Sequence, residues 1–271
     1  MTLTLTGVGY RYAGTSDAAL LDIDLELRSG EVVGLAGASE SGKTTLCLVT
    51  SGLAPRAIGG LLRGRITIDG TDVDAWPMHR LSQEIGIGFQ SPASQLSQVA
   101  GTVFEEVAFG PMNLALPRDD VLDRTWEALE TLVIRDLADR DPRRLSGGQQ
   151  QLVAIAGLLA MRPAHLILDE PTAQLDPQGT RLVTEALARL AANGASILVA
   201  EQKTEVLAAL ASRTVVLEAG RMVLAGATGE VLGDPRLPEL GVTPPAAVRL
   251  RHAARDAGLD ARMLDEVHAG G

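Results

Sequence analysis

The chain has little of what defines several common classes of protein. Its single cysteine, Cys47, excludes an intramolecular disulfide, and we expect it to be a small apolar residue beneath a helix. Its four histidines, His79, His165, His252 and His268, lack the spacing of metal ligands, so we assign no zinc site. Basic residues number 24 against 34 acidic ones, and this net charge of −10 argues against nucleic acid as a partner.

Long apolar runs are missing as well. The longest, Leu152 to Met161, covers about half the length that crosses a bilayer. The first residues, Met1 to Thr4, show no signal peptide, so we expect a cytosolic chain that reaches a membrane through a partner. What the chain does have is a hydrophobic fraction of 46% over 271 residues, which suffices for one large domain with an appendage.

The most informative segment is a glycine-bracketed loop. It follows a predicted buried strand, Val32 to Ala36, and precedes a stretch that can open a helix, Leu46 to Val49. Such a loop cradles phosphates with backbone N–H groups and a helix N-terminus. Lys43 would supply charge to the β and γ phosphates of ATP, and the Thr44 hydroxyl would ligate Mg²⁺. The predicted ATP-binding residues of the loop are Gly37, Ala38, Ser39, Glu40, Ser41, Gly42, Lys43, Thr44 and Thr45.

A second apolar strand, from His165, ends in the two acids Asp169 and Glu170. Asp169 can hold a metal ion through water, and Glu170 can orient or deprotonate an attacking water. Taken alone, the pair is explained equally well by a solvated strand end. Together with the phosphate loop, it predicts the two halves of one Mg²⁺–ATP site.

Between these segments lies Leu145-Ser146-Gly147-Gly148-Gln149. A serine before two glycines caps a helix and leaves N–H groups free at its positive end. Two interpretations stay open at this point. The segment is an ordinary helix cap, or it receives the γ-phosphate of an ATP held elsewhere.

In this order the three segments resemble the ATP-binding cassette (ABC) ATPases, over roughly residues 3 to 230. The resemblance implies an α/β P-loop NTPase fold of the ABC type. Its parts are a mixed, largely parallel core sheet, an N-terminal antiparallel β subdomain and an inserted α-helical subdomain. It implies an ABC ATP-binding domain at 1–226, with the helical subdomain at about 91–160, and a short C-terminal helical extension at 227–271. The implied ligands are ATP and Mg²⁺.

The resemblance also implies roles for single residues. Tyr12 would stack on adenine, with a strand-edge tyrosine as the alternative. Asp176 would lie where two such domains meet head to tail, and Ser146, Gly147, Gly148 and Gln149 would then serve the partner's ATP. The implied catalytic residues are Glu170, Gln202 and Gln90. The implied Mg²⁺ ligands are Thr44, Gln90 and Asp169.

A narrower likeness lies in two segments, Phe89 to Leu96 and Val103 to Leu114. They are similar to the ATPase components of energy-coupling factor (ECF) transporters, which import vitamins and cobalt or nickel. This likeness implies a second ATPase subunit, a transmembrane coupling protein and a substrate-capture subunit, no nucleic acid, and a place at the cytoplasmic face of the membrane. Whether the pair is a homodimer or a heterodimer stays open.

Three positions depart from the family pattern. Glu40 stands in the phosphate loop where glycine is usual, and there its charge opposes phosphate and a positive φ would strain it. Gln202 replaces the switch histidine and cannot carry a proton. Leu152 replaces an arginine. Because of Glu40 and Gln202, a second interpretation stays open, in which the chain is a weakly active subunit of a heterodimer. A third candidate, a soluble ABC ATPase of DNA repair or translation, fits poorly with the acidic charge.

Hydrophobic periodicity predicts the surrounding elements. Alternation at Leu3, Leu5 and Val8, and at Leu21, Ile23, Leu25 and Leu27, predicts antiparallel strands. Pro111 and Pro117 are expected to separate helices. The predicted helices are 102–109, 119–135, 147–160, 177–192, 204–211 and 246–257. The residues expected in the core by helical spacing, with a partner groove as the alternative, are Val103, Phe104, Val107, Phe109 and Met112.

Overall fold

Two β-sheets form the framework of the protein, seen here in a computed structural model that describes residues 1–257. The strands are β1 Thr2–Arg11, β2 Leu20–Arg28, β3 Val32–Gly37, β4 Leu61–Ile68, β5 Thr71–Asp72, β6 Ile85–Gly88, β7 His165–Asp169, β8 Ser196–Ala200, β9 Arg213–Glu218 and β10 Arg221–Ala227. Four form an antiparallel sheet in the order β2-β1-β4-β5. Six form a second sheet in the order β10-β9-β3-β8-β7-β6, in which every pair is parallel except β10 with β9.

Helices cover the second sheet and form an insert between β6 and β7. The helices are α1 Lys43–Thr50, α2 Leu53–Arg56, α3 Met78–Glu84, α4 Val103–Asn113, α5 Arg118–Thr131, α6 Gly147–Met161, α7 Pro177–Ala192, α8 Thr204–Leu210, α9 Thr228–Leu232 and α10 Ala246–Asp256. The insert consists of α4, α5 and α6, which pack on one another. The predicted fold class, with its parallel core, antiparallel β part and helical insert, is confirmed.

The central strands are buried on both faces, which explains why they read as continuous apolar runs. Every residue of β7 and β8 is buried. In β8, Val199 faces a core shared with the helices of the insert, whereas Leu198 faces a core shared with α1 and the antiparallel sheet. Because β3 and β7 flank β8 in parallel, the loops that follow them open at the same edge of the sheet.

The predicted alternation in β2 is wrong at one position. Leu21 is only partly buried, whereas Leu20 is fully buried. Asp22 adopts a φ of +56°, and the β1–β2 register shifts between the pairs Val8–Ile23 and Tyr10–Leu20. This bulge adds one residue to β2, so the inward and outward faces change places before Ile23. Leu20 therefore takes the core position expected for Leu21.

The predicted boundaries in the insert also need correction. Pro111 does not separate two helices but lies buried inside α4, and the preceding Gly110 has no Cβ to clash with the proline ring. The helix expected at 119–135 ends at Thr131, and Val133 turns the chain with a φ of +56°. The sequence pattern gives no sign of β6, β10, α3 or α9.

Of the five helix-spaced residues expected in the core, Val103 and Val107 are fully buried, and Phe104 is partly buried and packs against the core to which they belong. Phe109 and Met112 are 42% and 62% exposed, so the prediction is wrong for these two. The cause is that α4 buries only the face that packs on α5 and α6.

The C-terminal part leads from α9 through a proline-containing loop to α10. The rest of the predicted extension, 258–271, lies outside the described residues, and His268 lies there too. Within residues 1–257, no helix combines the length and apolar character that a bilayer crossing requires.

Candidate functional site

The phosphate loop joins the end of β3 to the start of α1. Gly37 has a φ of +152°, and a Cβ there would lie 2.5 Å from both Ser41 Oγ and the Leu217 carbonyl. Gly42, at φ +108°, caps α1. Only glycine fits at Gly37, because any side chain would collide with the loop it belongs to. Beneath the loop Cys47 is buried as expected, and burial raises the pKa of its thiol well above the ordinary value.

Lys43 is folded back over this loop. Its Nζ donates to the Gly37 carbonyl over 2.7 Å and to the Ala38 carbonyl over 2.8 Å. Burial lowers the pKa of Lys43, while the nearby Glu170 and Asp169 act in the opposite sense. The ammonium group is therefore held by two neutral acceptors at the place where an anion would find it.

Asp169, at the end of β7, is joined to the first turn of α1. Burial raises the pKa of Asp169, and the neighbouring Thr44 side chain lowers it by less. Asp169 is 5% exposed, whereas Thr44 is exposed to the cavity. A hydroxyl and a carboxylate in contact are oxygen donors of the kind that Mg²⁺ takes, so the pair fits this ion.

Two residues far apart in the sequence, Gln90 and Gln202, both bond to Glu170. The Gln90 Nε2 donates to Glu170 Oε2 over 2.8 Å, and the Gln202 Nε2 donates to Glu170 Oε1 over 2.7 Å. Glu170 itself adopts a φ of +49°, a strained backbone for a glutamate. Both carboxylate oxygens are thus fixed by side-chain amides, and the predicted catalytic residues form one cluster.

A buried carboxylate behind this cluster was missed from the sequence. Glu201 is 2% exposed and accepts hydrogen bonds from the Thr172 hydroxyl over 2.7 Å, the Gln202 amide over 3.0 Å and the Lys203 amide over 3.3 Å. Lys203 Nζ in turn donates to the Thr172 carbonyl over 2.7 Å. The network ties the segment after Glu170 to the segment that carries Gln202. No local signal separates Glu201 from an exposed charge at a strand end.

A cavity of about 600 Å³ opens over the loop, within the usual range for ligand sites. Its lining brings together hydroxyls, one ammonium group, two amides and two carboxylates. The lining residues are Ala18, Ala19, Ser39, Glu40, Gly42, Lys43, Thr44, Thr45, Gln90, Glu170, Gln202, Ala219 and Gly220. Four of these were missed, Ala18, Ala19, Ala219 and Gly220. The turn glycine between β9 and β10 is the one signal that could have found them.

Two predicted ATP contacts have distinctive surroundings. Glu40 lines the cavity with a φ of +63°, in the backbone region expected for a position suited to glycine. Tyr12 is half-buried beside α1, where its hydroxyl lies 3.0 Å from Thr45 Oγ1 and its ring meets Tyr10 edge to face. Adenine stacking on Tyr12 therefore stays a prediction.

The Ser146 segment lies outside the cavity of its own chain, as the residues that line that cavity show. Ser146 and Gln149 form a capping box at the start of α6. A Cβ at Gly147 would lie 2.8 Å from Gln174 Oε1, so the segment packs against the loop that leads to Asp176. Asp176 caps α7 by accepting from the Gly179 amide over 2.7 Å.

A phosphate loop, a strand-end acid in contact with its threonine, and a glutamate held by two amides define a P-loop ATPase site. A family model described as ABC transporter matches residues 20–173. The chain belongs to this family, the ABC transporter family, and its fold is that of the ATP-binding cassette.

Two relatives match most of the chain. The energy-coupling factor transporter ATP-binding protein EcfA of Methanosarcina acetivorans is 37% identical over 261 residues, which cover 95% of this chain and 91% of that protein. The structure of CbiO1 from Clostridium perfringens, part of the ABC transporter complex CbiONQ, matches with a TM-score of 0.75 and 33% identity over 88% of this chain and 96% of that one.

A dimeric cassette, MJ0796 bound to ADP and Pi, matches with a TM-score of 0.72 and 25% identity over 83% of this chain and 98% of that one. The chain spans 39% of the length of another curated relative from Methanosarcina acetivorans, to which it is 40% identical over 244 residues. Some members of the family are therefore much longer than this chain.

Proposed function

We propose that this chain is the ATP-binding and ATP-hydrolysing subunit of a membrane importer of the ECF type, for a vitamin or a transition metal. The observation that carries the proposal is the meeting of Glu170 with Gln90 and Gln202 at the cavity that holds Lys43. The similarity to EcfA and to CbiO1 supports the importer type.

In this proposal the loop binds the triphosphate. Lys43 exchanges two neutral carbonyl acceptors for phosphate oxygens, which are the stronger partners because they are charged. Thr44, Asp169 and Gln90 would hold Mg²⁺, which when bound offsets the charge on the β and γ phosphates. Tyr12 stacks on the adenine.

Glu170 acts on the attacking water. The water oxygen bonds to the γ-phosphorus as the bond to the β-phosphate bridging oxygen breaks, and Glu170 takes the water's proton. Gln90 and Gln202 orient the carboxylate from both sides, and neither of them can exchange a proton at neutral pH. ADP and inorganic phosphate leave.

A second cassette completes the site. Ser146, Gly147, Gly148 and Gln149 lie outside the cavity of their own chain, so we propose that they close over the ATP of a partner in a head-to-tail pair. A transmembrane coupling protein and a substrate-capture subunit complete the importer and hold the chain at the cytoplasmic face of the membrane.

A second function is favoured by Gln202 and Glu40. In a heterodimer, this chain would bind nucleotide with little turnover while the partner supplies the histidine. Steady-state ATPase of the chain alone, and then mixed with a histidine-bearing partner, distinguishes the two. Turnover by the chain alone supports the first function, and turnover only in the mixture supports the second.

The ATP site and the assembly are tested separately. Lys43→Met keeps the length of the side chain but removes its charge, and we expect about a hundredfold weaker ATP binding from the loss of charged hydrogen bonds. Unchanged binding would contradict the assignment of the loop. For the assembly, the tagged chain is purified from solubilised membranes, and recovery without any membrane protein would contradict the importer role.

A further inference from the structure

The segment between α9 and α10 passes beside the phosphate loop. We call residues 237–246 the C-terminal strap. Leu237 is fully buried and Val242 is 5% exposed, and both belong to the core that also contains Leu207 of α8. The strap is therefore anchored in the same core as the elements around the ATP cavity, although its own residues do not line that cavity.

One end of the strap touches the phosphate loop. Gly241 adopts a φ of +69°, and a Cβ built on it would lie 2.8 Å from the Cβ of Ala38 and 3.7 Å from its Cα. Ala38 is one of the two loop residues whose carbonyls accept hydrogen bonds from Lys43 Nζ. Gly241 therefore packs against the side chain of a residue that holds the phosphate-binding lysine, with no room for a methyl group.

The other end of the strap is bonded to the segment that carries Gln202. Thr204, which starts α8 two residues after Gln202, donates its hydroxyl to the Thr243 carbonyl over 2.7 Å. The Ala246 amide donates to Glu205 Oε1 over 3.2 Å. The strap thus contacts the phosphate loop and the segment that carries Gln202, and it ends at the first residue of α10.

We propose that the C-terminal strap is a positioning element of the ATP site and that Gly241 is its positioning residue. A side chain at position 241 must displace either the strap or Ala38, because real Cβ atoms do not approach to 2.8 Å. The strap is held by two buried side chains and by Thr204, whereas the loop tip at Ser39 and Glu40 is exposed. With a side chain at position 241, we therefore expect the phosphate loop to move and not the strap. Lys43 would then move with the Ala38 carbonyl to which it is bonded.

This inference rests on the ATP site proposed above, and a double-mutant cycle tests it separately. Equilibrium binding of Mg²⁺–ATP is measured for the wild type, Gly241→Ala, Ala38→Gly and the double variant, with thermal unfolding recorded for each. We expect Gly241→Ala to weaken ATP binding about tenfold by overpacking. In the Ala38→Gly background the same change has a much smaller effect, because the opposing Cβ is gone.

Gly70→Ala is the matched control. Gly70 has a φ of +75°, close to that of Gly241, but a Cβ there meets nothing within 4 Å. We expect this variant to lose thermal stability through backbone strain while it binds ATP like the wild type. The control separates the positive φ that both glycines share from the contact with Ala38.

A second variant tests the strap even if Gly241→Ala does not fold. Thr204→Val keeps the shape of the side chain but removes its bond to the strap, and we expect about threefold weaker ATP binding. Thr228→Val, which breaks a buried hydroxyl contact with Thr214, serves as its control and keeps wild-type affinity.

Each result decides something different. Wild-type affinity in Gly241→Ala, or an equal loss in both Ala38 backgrounds, overturns the proposed role of the strap. Wild-type affinity in Thr204→Val overturns the second contact. A wild-type chain that does not bind ATP contradicts the proposed function itself, before the strap is tested.

Discussion

The Gln202 side chain donates its Nε2–H to Glu170 Oε1 over 2.7 Å, across 32 positions of sequence. Gln90 holds the other oxygen of the same carboxylate. Glutamine at position 202 therefore does part of what a histidine could do, since it offers a donor at the right place. It differs in one respect, because an amide does not titrate between pH 5 and 8.

Replacement of the glutamate tests its role in turnover. Glu170→Gln keeps the size of the side chain but removes its basic oxygen, and we expect phosphate release to fall by about 10²- to 10⁴-fold. ATP affinity should change little, because Lys43 and Thr44 remain. Phosphate release and equilibrium binding are measured on the same preparation, and intact turnover in the assembled complex would exclude Glu170 as the base.

Gln202→His introduces a titrating group in contact with Glu170. We expect the pH profile of kcat to gain a new ionisation near the ordinary histidine pKa of about 6.5. Gln202→Asn is the control, since it is also an amide and adds no ionisation. Profiles of the same shape for the histidine variant and the wild type would show that residue 202 does not act in the rate-limiting step.

Glu40 combines two unfavourable features that separate variants can distinguish. Glu40→Gln removes the charge, and at about 1 kcal/mol of repulsion we expect ATP affinity to rise about fivefold without a change in Tm. Glu40→Gly also relieves the φ of +63°, so it should raise both ATP affinity and Tm. If the glutamine variant binds no better than the wild type, the carboxylate points away from the phosphates.

His165 makes folding depend on pH. The side chain is fully buried, its Nδ1 lies 2.5 Å from Ser196 Oγ, and its Nε2 finds no hydrogen-bond partner among residues 1–257. Burial lowers the pKa of His165 from 6.5 to about 4. Between these pH values the unfolded chain binds a proton that the folded chain excludes. The contribution of neutral His165 to the free energy of unfolding is therefore fully present above pH 6.5 and is lost as the pH falls toward 4.

The size of this effect is at most about 3 kcal/mol. The measurement is the free energy of unfolding by denaturant at several pH values between 4 and 7, in the wild type and in His165→Asn. Asparagine can keep a hydrogen bond to Ser196 but does not titrate. The difference between the two chains should narrow as the pH falls, and a constant difference would show that His165 takes up its proton equally in both states.

Much of the fold could be predicted, because motif and periodicity agree in the phosphate loop, in β7 and in α6. The strand β6 could not, because Gly86 and Gly88 make it look like a loop. A Cβ at Gly88 would lie 2.7 Å from Leu168 Cδ2, so these glycines admit neighbouring side chains. Glycine is required here by the packing of side chains from other elements, and a local sequence pattern does not show that packing.

The site divides in the same way. Residue type and local context are enough to predict the site residues Lys43, Asp169 and Glu170. The two amides on Glu170 and the contact of Gly241 with Ala38 arise only when distant segments meet. Local sequence identifies the groups that carry chemistry, whereas their positioning depends on tertiary structure.

The most direct test of the central claim is a crystal structure with Mg²⁺ and a non-hydrolysable ATP analogue. The account predicts that Lys43 Nζ leaves the Gly37 and Ala38 carbonyls for the β and γ phosphates. It also predicts the metal at Thr44 and the terminal phosphate facing Glu170. A nucleotide bound elsewhere, or Lys43 still on the loop carbonyls beside a bound triphosphate, would contradict it.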